Sequence, residues 1–244
     1  MNKQNIIFIS KNINPYYNLT LGTYLANQFK KLESNKKILF LSSSHHGVFI
    51  GRNQNCWKEC HIQKMKEDNV PLIRRDTGGG ACYVDKGNLL FSFIENFNQT
   101  NFKKNYPIIT RALKSLNFDA LESGRNDICI DGKKVSGSAY SLQNNVFKHH
   151  GTILINANKD KMLRYLNPNK LKLQSKGINS VEARVANLVD FDKSINQEKV
   201  SDAIIQSFTD FHQEKPLLLN SDDYRIDDRK LFDEIYSRYQ NEYY

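Results

Sequence analysis

The chain has 244 residues, of which 39% are hydrophobic and 25% charged, and it carries a formal net charge of +9 at pH 7. This composition is that of a globular protein, and no run of residues reaches the roughly 18 apolar positions that a membrane-spanning helix needs. Because the first residues carry neither a signal-peptide nor a transit-peptide pattern, we expect a cytoplasmic protein without a membrane partner.

The cysteines and the positive charge exclude two further classes of protein. Cys56, Cys60, Cys82 and Cys129 are scattered without zinc-ligand spacing or a secreted disulfide pattern, so we expect structural thiols. The lysines are dispersed rather than clustered, which argues against a nucleic-acid partner. A basic rim could still steer an acidic protein partner.

Apolar spacing predicts an alternation of helices and strands along the chain. Leu21, Leu25, Phe29 and Leu32 recur at helical spacing and predict a helix over 17–33, after a strand-like run near the N-terminus. KKILFL and GVFIG, at 36–41 and 47–51, are then expected to form paired strands. The further predicted helices cover 105–118, 158–166, 197–212 and 227–241, and the further predicted strands cover 70–75, 81–84, 88–94, 126–130, 133–138 and 151–156. This order predicts one domain over 1–244 of the α+β class, with a mixed or antiparallel sheet flanked by helices.

The segment NDICIDGKKVSGSAY, residues 126–140, predicts a hairpin that presents a lysine. Asp131-Gly132 between two strand-like runs is typical of a two-residue type I′ turn. The expected register pairs Ile130 with Lys133, Cys129 with Lys134, Ile128 with Val135, and Asp127 with Ser136. Alternation then puts Asp127, Cys129, Lys134 and Ser136 on one face and Ile128, Ile130, Lys133 and Val135 on the other.

Two interpretations of Lys134 stay open at this point. A lysine among small residues with a carboxylate nearby is suited to an anion or a reacting centre. The same geometry also suits a cross-strand ion pair that contributes about 0–1 kcal/mol.

Two other segments carry groups suited to an anionic ligand. Gly78-Gly79-Gly80 in RRDTGGGACYVD fits neither the dinucleotide fingerprint nor the P-loop. Its backbone N–H groups could still converge on a phosphate or carboxylate, with Arg74 or Arg75 as a bidentate clamp. The alternative is a glycine-rich turn with solvated arginines.

His149-His150 enters a predicted strand in the segment FKHHGTILIN. Alternation sends the two imidazoles to opposite sides of the sheet, so they are not expected to bind one metal together. We expect one of them to face the site.

Several motifs in one order resemble the bacterial lipoate-protein ligase A family, from about Asn18 to about Leu188. They are GRNQNCWKEC, RRDTGGGACYVD, GRNDICIDGKKVSGSAY, HHGTILIN and LNPNKLKLQSKGINSVEARVANL. The resemblance implies the biotin/lipoate ligase (class II synthetase-like) catalytic fold. It also implies a two-step reaction in which lipoate and ATP, with Mg²⁺, give lipoyl-AMP, and the lipoyl group then passes to a lysine of a lipoyl-domain protein. Such acceptors are 2-oxoacid dehydrogenase E2 subunits or the glycine cleavage H protein.

The resemblance also implies roles for individual residues. Lys134 matches the family's essential lysine and would contact the lipoyl carbonyl and the α-phosphate, while Asp127 would orient Lys134 or a Mg²⁺ ion. The implied adenylate-binding residues are Arg75, Thr77, Gly78, Gly79, Gly80, Ala81, Cys82, Tyr83, Asn126, Asp127 and Lys134. The implied lipoyl-binding residues are Ser42, Arg75, Lys134, Ser138, Ala139 and His150.

The sequence departs from the family pattern at three places in the expected site. Val84 stands where the family usually has a histidine, and Ser42 stands where it often has a large aromatic residue that closes the lipoyl-tail pocket. Gly22-Thr23 replaces residues that are commonly acidic. We therefore expect the choice of acid to be the property most open to change.

Two further expectations concern the extent of the chain and rival functions. Full-length relatives add a small C-terminal domain, so we expect a truncated chain or a separate accessory polypeptide, and transfer from preformed lipoyl-AMP that is faster than adenylate formation. The rival functions are an ATP-independent lipoyl or octanoyl transferase of the same fold and a non-catalytic binder of lipoyl domains. A thiol-dependent transferase needs an activated cysteine, for which Cys82 and Cys129 are the nearest candidates.

Overall fold

A computed structural model describes residues 4–29, 36–97, 103–167, 184–222 and 224–241. Its strands form one large and one small sheet. The large sheet has the order β11-β1-β2-β6-β10-β9-β8-β7, and the small sheet has the order β4-β3-β5. The strands are β1 (Ile6–Ile9), β2 (Ile38–Ser42), β3 (His46–Ile50), β4 (Leu72–Arg74), β5 (Cys82–Asp85), β6 (Asn88–Asn96), β7 (Leu121–Ser123), β8 (Asp127–Ile130), β9 (Lys133–Gln143), β10 (Val146–Leu154) and β11 (Leu217–Asn220).

The large sheet is mixed, which confirms the predicted α+β class. β1 runs parallel to both β2 and β11, whereas β6, β10, β9, β8 and β7 continue from β2 in antiparallel pairs. The expected pairing of β2 with β3 is wrong, because β2 lies in the large sheet and β3 in the small one. All of β2 and nearly all of β3 are buried, so neither strand shows the polar alternation that would identify its neighbours.

The helices agree well with the predicted periodicity. Three of the five predicted helices lie within two residues of their expected bounds, and the helix expected over 105–118 ends three residues early, at Ser115. The first begins at Pro15, and positions 30–33 of its expected range lie outside the described residues. Two short helices and the strands β7 and β11 carry too little periodic sequence to have been predicted. The helices are α1 (Pro15–Phe29), α2 (Cys56–Glu59), α3 (Ile62–Glu67), α4 (Tyr106–Ser115), α5 (Lys159–Tyr165), α6 (Gln197–His212) and α7 (Arg229–Asn241).

Three apolar clusters hold these layers together. α4 and α6 pack on one face of the large sheet, where Ile109 joins the same cluster as Phe93 and Phe208, whose rings stack. α1 and α7 pack on the other face, together with the inner side of the small sheet. α2, α3 and α5 cover the outer side of the small sheet. One face of the large sheet is thus brought against the small sheet. No helix of the described part combines the length and apolar character needed to cross a bilayer.

The predicted hairpin is confirmed at its turn and corrected farther into the strands. Asp131 and Gly132 have φ of 49° and 73°, which is the signature of a type I′ turn. Lys133 and Lys134 face Ile130 and Cys129 as expected.

A bulge between Ile128 and Cys129 then shifts the register by one residue. Ser136 faces Ile128 and Gly137 faces Asp127, so the expected pairs Ile128 with Val135 and Asp127 with Ser136 are wrong. Ser136 is fully buried opposite Ile128 and does not share a face with Lys134. A single extra residue moves every following side chain of the strand to the other face of the sheet, and no turn motif in the sequence indicates such a bulge.

His149 is buried in an aromatic cluster on the α4 and α6 side of the sheet. Its ring lies 4.7 Å from the Tyr140 ring, 5.1 Å from Tyr106 and 5.6 Å from Phe91. Neither ring nitrogen has a hydrogen-bond partner among the described residues. Burial lowers the pKa of His149 to about 3, so the imidazole is neutral at physiological pH.

We expect His149→Phe to stabilise the protein and to flatten its response to acid. As the pH falls below about 6.5, the unfolded chain binds a proton at His149, whereas the folded protein does not bind one there until about pH 3. At pH 5 this difference lowers the free energy of unfolding by on the order of 2 kcal/mol. Removing the unpaired nitrogens should add about 1 kcal/mol at pH 7.5. Urea unfolding at pH 7.5 and pH 5 measures both effects. An equal pH dependence in the variant and the wild type would contradict this account.

Candidate active site

A cavity of about 490 Å³ lies where the glycine loop between β4 and β5 meets the large sheet. Its floor comes from Asp127 of β8 and from β9 and β10, where Gly137 pairs with Thr152 and Ala139 pairs with His150. Its sides come from the loop and from residues at the end of α5. The predicted residues that line it are Arg75, Gly79, Gly80, Ala81, Cys82, Tyr83, Asn126, Asp127, Lys134, Ser138, Ala139 and His150.

Lys134 and Asp127 form an ion pair inside this cavity. Lys134 Nζ lies 2.7 Å from Asp127 Oδ1, and Arg184 Nη2 donates to Asp127 Oδ2 at 2.8 Å. Burial would raise the pKa of Asp127, but Lys134 and Arg184 outweigh it and lower the pKa below its ordinary value. The carboxylate therefore stays ionised at neutral pH and holds two cations at the cavity wall.

Gly137 makes the room that Lys134 occupies. A Cβ atom at position 137 would lie 2.5 Å from Lys134 Nζ and 2.6 Å from its Cε, which is far inside van der Waals contact. The bulge matters here, because it brings Gly137 rather than Ser136 opposite Asp127. A strand residue without a side chain thus lets the ammonium reach the carboxylate.

The buried guanidinium of Arg75 organises the glycine loop. Its Nη2 donates to the carbonyls of Gly78 and Gly80, both at 2.7 Å, and its Nη1 donates to the Phe49 carbonyl at 2.9 Å. Its Nε donates to Thr77 Oγ1 at 3.1 Å. Arg75 thus ties the loop to the small sheet, and any contact with a ligand phosphate would come in addition to these bonds.

Close backbone approaches explain two of the glycines. Gly79 has φ of +88°, and a Cβ there would lie 2.8 Å from Arg75 Nη2. A Cβ at Gly51 would lie 2.0 Å from the carbonyl oxygen of Gly79. Side chains at either position would push the loop off the sheet.

His150 is the histidine that faces the cavity, as expected. Its Nε2 lies 2.6 Å from Thr77 Oγ1. Burial, followed by the positive charges of Arg75 and Lys148, lowers the pKa of His150 well below its ordinary value. A neutral imidazole at this place can donate through one nitrogen and accept through the other.

Asp76 and Lys148 form a second buried ion pair that the sequence did not reveal. Lys148 Nζ donates to both carboxylate oxygens, at 3.1 Å and 3.2 Å. Thr23 Oγ1 donates to Asp76 Oδ2 at 3.0 Å. Strand alternation from His150 could have placed Lys148 on this face, but Asp76 lies in a loop, where alternation carries no information.

Ser42, Thr77 and Gly78 do not line the cavity, and the hydroxyl of Ser138 turns away from it. Ser42 borders a smaller neighbouring cleft, Thr77 is fully buried within the loop, and Gly78 is exposed. The Ser138 hydroxyl donates to Tyr106 Oη at 3.2 Å, on the opposite face of the sheet. Most of the motif over 166–188 falls on 168–183, outside the described residues, although its Arg184 contributes to the cavity.

The three departures and the two candidate thiols also have definite places. Val84 is fully buried in the cluster beneath α1, and Thr23 belongs to the Asp76 network. Cys82 lines the cavity, whereas Cys129 does not. A separate groove of about 550 Å³ borders Tyr83 but contains neither Lys134 nor the glycine loop.

The described residues do not fit a Mg²⁺ ion held by Asp127. They contain no group of three or more His, Cys, Asp or Glu side chains arranged to bind a metal. Both oxygens of Asp127 already face cations, which a metal ion would have to displace. Asp127 is therefore placed to position Lys134.

Comparison with known proteins identifies the family. The model of the lipoyl protein ligase A/B catalytic domain matches residues 14–209. This chain belongs to that family. Lipoate-protein ligase A of Psychrobacter cryohalolentis is 46% identical over 201 residues, which cover 82% of this chain and 58% of the relative.

Solved structures of lipoate ligases share the fold. The crystal structure of P. falciparum LipL1 in complex with lipoate has a TM-score of 0.84 to this chain at 35% sequence identity. The match covers 97% of this chain and 72% of the LipL1 chain. A bi-partite lipoate protein ligase from Thermoplasma acidophilum has a TM-score of 0.84 at 24% identity, and the match covers 99% of this chain and 95% of the Thermoplasma chain. At this identity the similarity supports the fold alone. The chain spans between 53% and 62% of the length of the four curated relatives compared.

We expect Arg75→Lys to loosen the glycine loop and to cost about 2 kcal/mol or more of folding free energy. A lysine cannot serve all the acceptors that the guanidinium serves, so buried carbonyls lose their donors. Arg74→Lys is the matched control, because Arg74 is half-buried and donates through Nη1 alone to neighbouring carbonyls. Urea unfolding compares the two. Equal losses in both variants would show that the loop does not depend on Arg75.

Proposed function

We propose that this chain is the catalytic part of a lipoate-protein ligase that acts in the cytoplasm. The observation that carries the proposal is the Lys134–Asp127 ion pair, which lies in one cavity with the glycine loop. Membership of the lipoyl protein ligase family supports the same reaction.

In the first step, a carboxylate oxygen of lipoate attacks the α-phosphorus of ATP. An oxygen–phosphorus bond forms, the bond to the bridging oxygen of the β-phosphate breaks, and pyrophosphate leaves with that electron pair. Negative charge grows on the phosphoryl oxygens, and preorganised cations and N–H donors stabilise it. Lys134 and the N–H groups of the glycine loop are the groups proposed for this task.

In the second step, the neutral amine of an acceptor lysine attacks the carbonyl carbon of lipoyl-AMP. The carbon–oxygen bond to the phosphate breaks, AMP leaves with the electron pair, and the nitrogen loses a proton to give the amide. A tetrahedral oxyanion forms on the way, and Lys134 is placed to stabilise it without becoming covalently attached. Asp127 and Arg184 act by positioning Lys134.

We propose a lipoyl-domain protein as the acceptor, such as a 2-oxoacid dehydrogenase E2 subunit or the glycine cleavage H protein. Glu59, Asn167 and Val185 line one part of the cavity, and we propose that an extended lysine side chain of a docked protein enters there. The net charge of +9 favours an acidic partner.

The decisive experiment is mass spectrometry of an apo lipoyl domain incubated with this chain. We expect a lipoyl mass increase with ATP, Mg²⁺ and lipoate, or with lipoyl-AMP, and no increase with Lys134→Ala. Transfer from an acylated carrier protein without ATP would favour the rival transferase. Binding of the lipoyl domain with no mass change from either donor would favour a non-catalytic binder.

We expect Gly137→Ala to slow acyl transfer from lipoyl-AMP by about 100-fold while leaving the protein folded. The new methyl group displaces only the mobile end of Lys134, so the change in folding free energy should stay below about 1 kcal/mol. Gly47→Ala is the matched control, because a Cβ at this buried strand position meets ordinary contacts, the nearest at 3.5 Å. Single-turnover transfer kinetics measure the effect. An unchanged rate in Gly137→Ala would remove Lys134 from its proposed place.

A further inference from the structure

A narrow cleft lies beside the cavity, towards α1, and the Asp76–Lys148 ion pair borders it. The cleft shares the wall residues Arg75, His150 and Thr152 with the cavity, so the two are adjacent. Its walls include the apolar side chains of Leu19, Phe40, Phe49 and Leu90. The ion pair also borders a separate polar cleft lined by Thr23, Asn27 and Gln143, and so it forms the partition between the two.

Stability alone does not explain this ion pair. The Lys148 and Asp76 side chains are only 6% and 12% exposed, and two charges taken out of water are often no better for stability than apolar residues of similar size. Asp76 is itself held in place, because Thr23 donates to it and Tyr239 Oη lies 2.7 Å from Thr23 Oγ1. Since the ionised carboxylate only accepts, Thr23 accepts from Tyr239. The network fixes where the Lys148 ammonium points its charge.

The ammonium borders the cleft and retains hydrogen-bonding capacity. It has three N–H donors, and within the described residues its acceptors are the two oxygens of Asp76. Gly22 leaves space at this end of the cleft that a Cβ would fill, in ordinary contact at 4.0 Å from Lys148 Nζ and 3.4 Å from the Phe40 ring. A glycine inside a helix lowers stability by about 1 kcal/mol relative to alanine, so leaving this space unfilled reduces the stability of the fold.

We propose that Lys148 selects acids whose distal end carries a hydrogen-bond acceptor, such as a ring sulfur or a hydroxyl oxygen, over plain alkyl acids of equal length. This inference rests on the proposed function, in which the cleft takes the tail of the acid. An alkyl end placed against the ion pair removes water from Lys148 and returns no hydrogen bond. The cleft has about 40 Å³ of space, room for a few water molecules, so its walls must move apart as the tail enters.

The test measures the Kd of lipoate, octanoate and 8-hydroxyoctanoate by calorimetry, without ATP. We expect the wild type to bind lipoate and 8-hydroxyoctanoate about tenfold more tightly than octanoate. In the isosteric double variant Asp76→Asn/Lys148→Met, the preference for 8-hydroxyoctanoate should disappear. The hydroxyl acid separates the two explanations, because selection by apolar contact alone would make it the weakest ligand.

The matched control removes another buried ion pair that borders none of these cavities. Lys37 Nζ lies 3.1 Å from Glu95 Oε2, and Lys37→Met/Glu95→Gln should leave the order of the three acids unchanged. Octanoate binding as tightly as 8-hydroxyoctanoate to the wild type would overturn the inference, and this comparison holds even where the variant fails to fold. A preference that survives in a folded Asp76→Asn/Lys148→Met protein would overturn it as well. If lipoate and octanoate bind with equal affinity, only the inference about Lys148 fails. If none of the acids binds and no lipoyl transfer occurs, the proposed function fails as well.

Discussion

The guanidinium of Arg75 holds the glycine loop against the small sheet, and the shape of the cavity follows from that. Its donors reach the carbonyls of Phe49, Gly78 and Gly80 from a position only 5% exposed. Buried carbonyls without donors are costly, so a loop of this composition stays compact only around such a cation. The loop backbone then faces the large sheet at a distance that leaves room for a ligand.

Charge inside the site is arranged as paired ions rather than as single cations. Lys134 is paired with Asp127, and Lys148 with Asp76. Each carboxylate limits the freedom of its lysine, so little reorganisation is needed when negative charge develops on a ligand. The two pairs lie in adjacent cavities, one beside the glycine loop and the other at the border of the narrow cleft. The proposed reaction thus takes place beside Lys134, whereas the tail of the acid is proposed to be recognised at Lys148.

Local sequence rules succeeded where the structure depends on a few neighbouring residues. Asp131-Gly132 gives the expected turn, and the opposite orientations of His149 and His150 follow from strand alternation. The same rules failed at Ser136, because a bulge reverses alternation without a sequence signal. They failed for β2 and β3 as well, since strands buried on both faces do not reveal their partners.

By itself, the sequence determined the order of most helices and strands, the turn that presents Lys134 and the glycine loop beside Arg75. These features depend on backbone preferences and side-chain periodicity over a few residues. Only the tertiary structure decided that Arg184 reaches Asp127 across 57 positions and that Lys148 reaches Asp76 across 72. It also decided that Gly137, rather than Ser136, lies beside the lysine. The physical reason is that such contacts depend on how sheets stack and where a strand bulges, which the local pattern of one sequence does not encode.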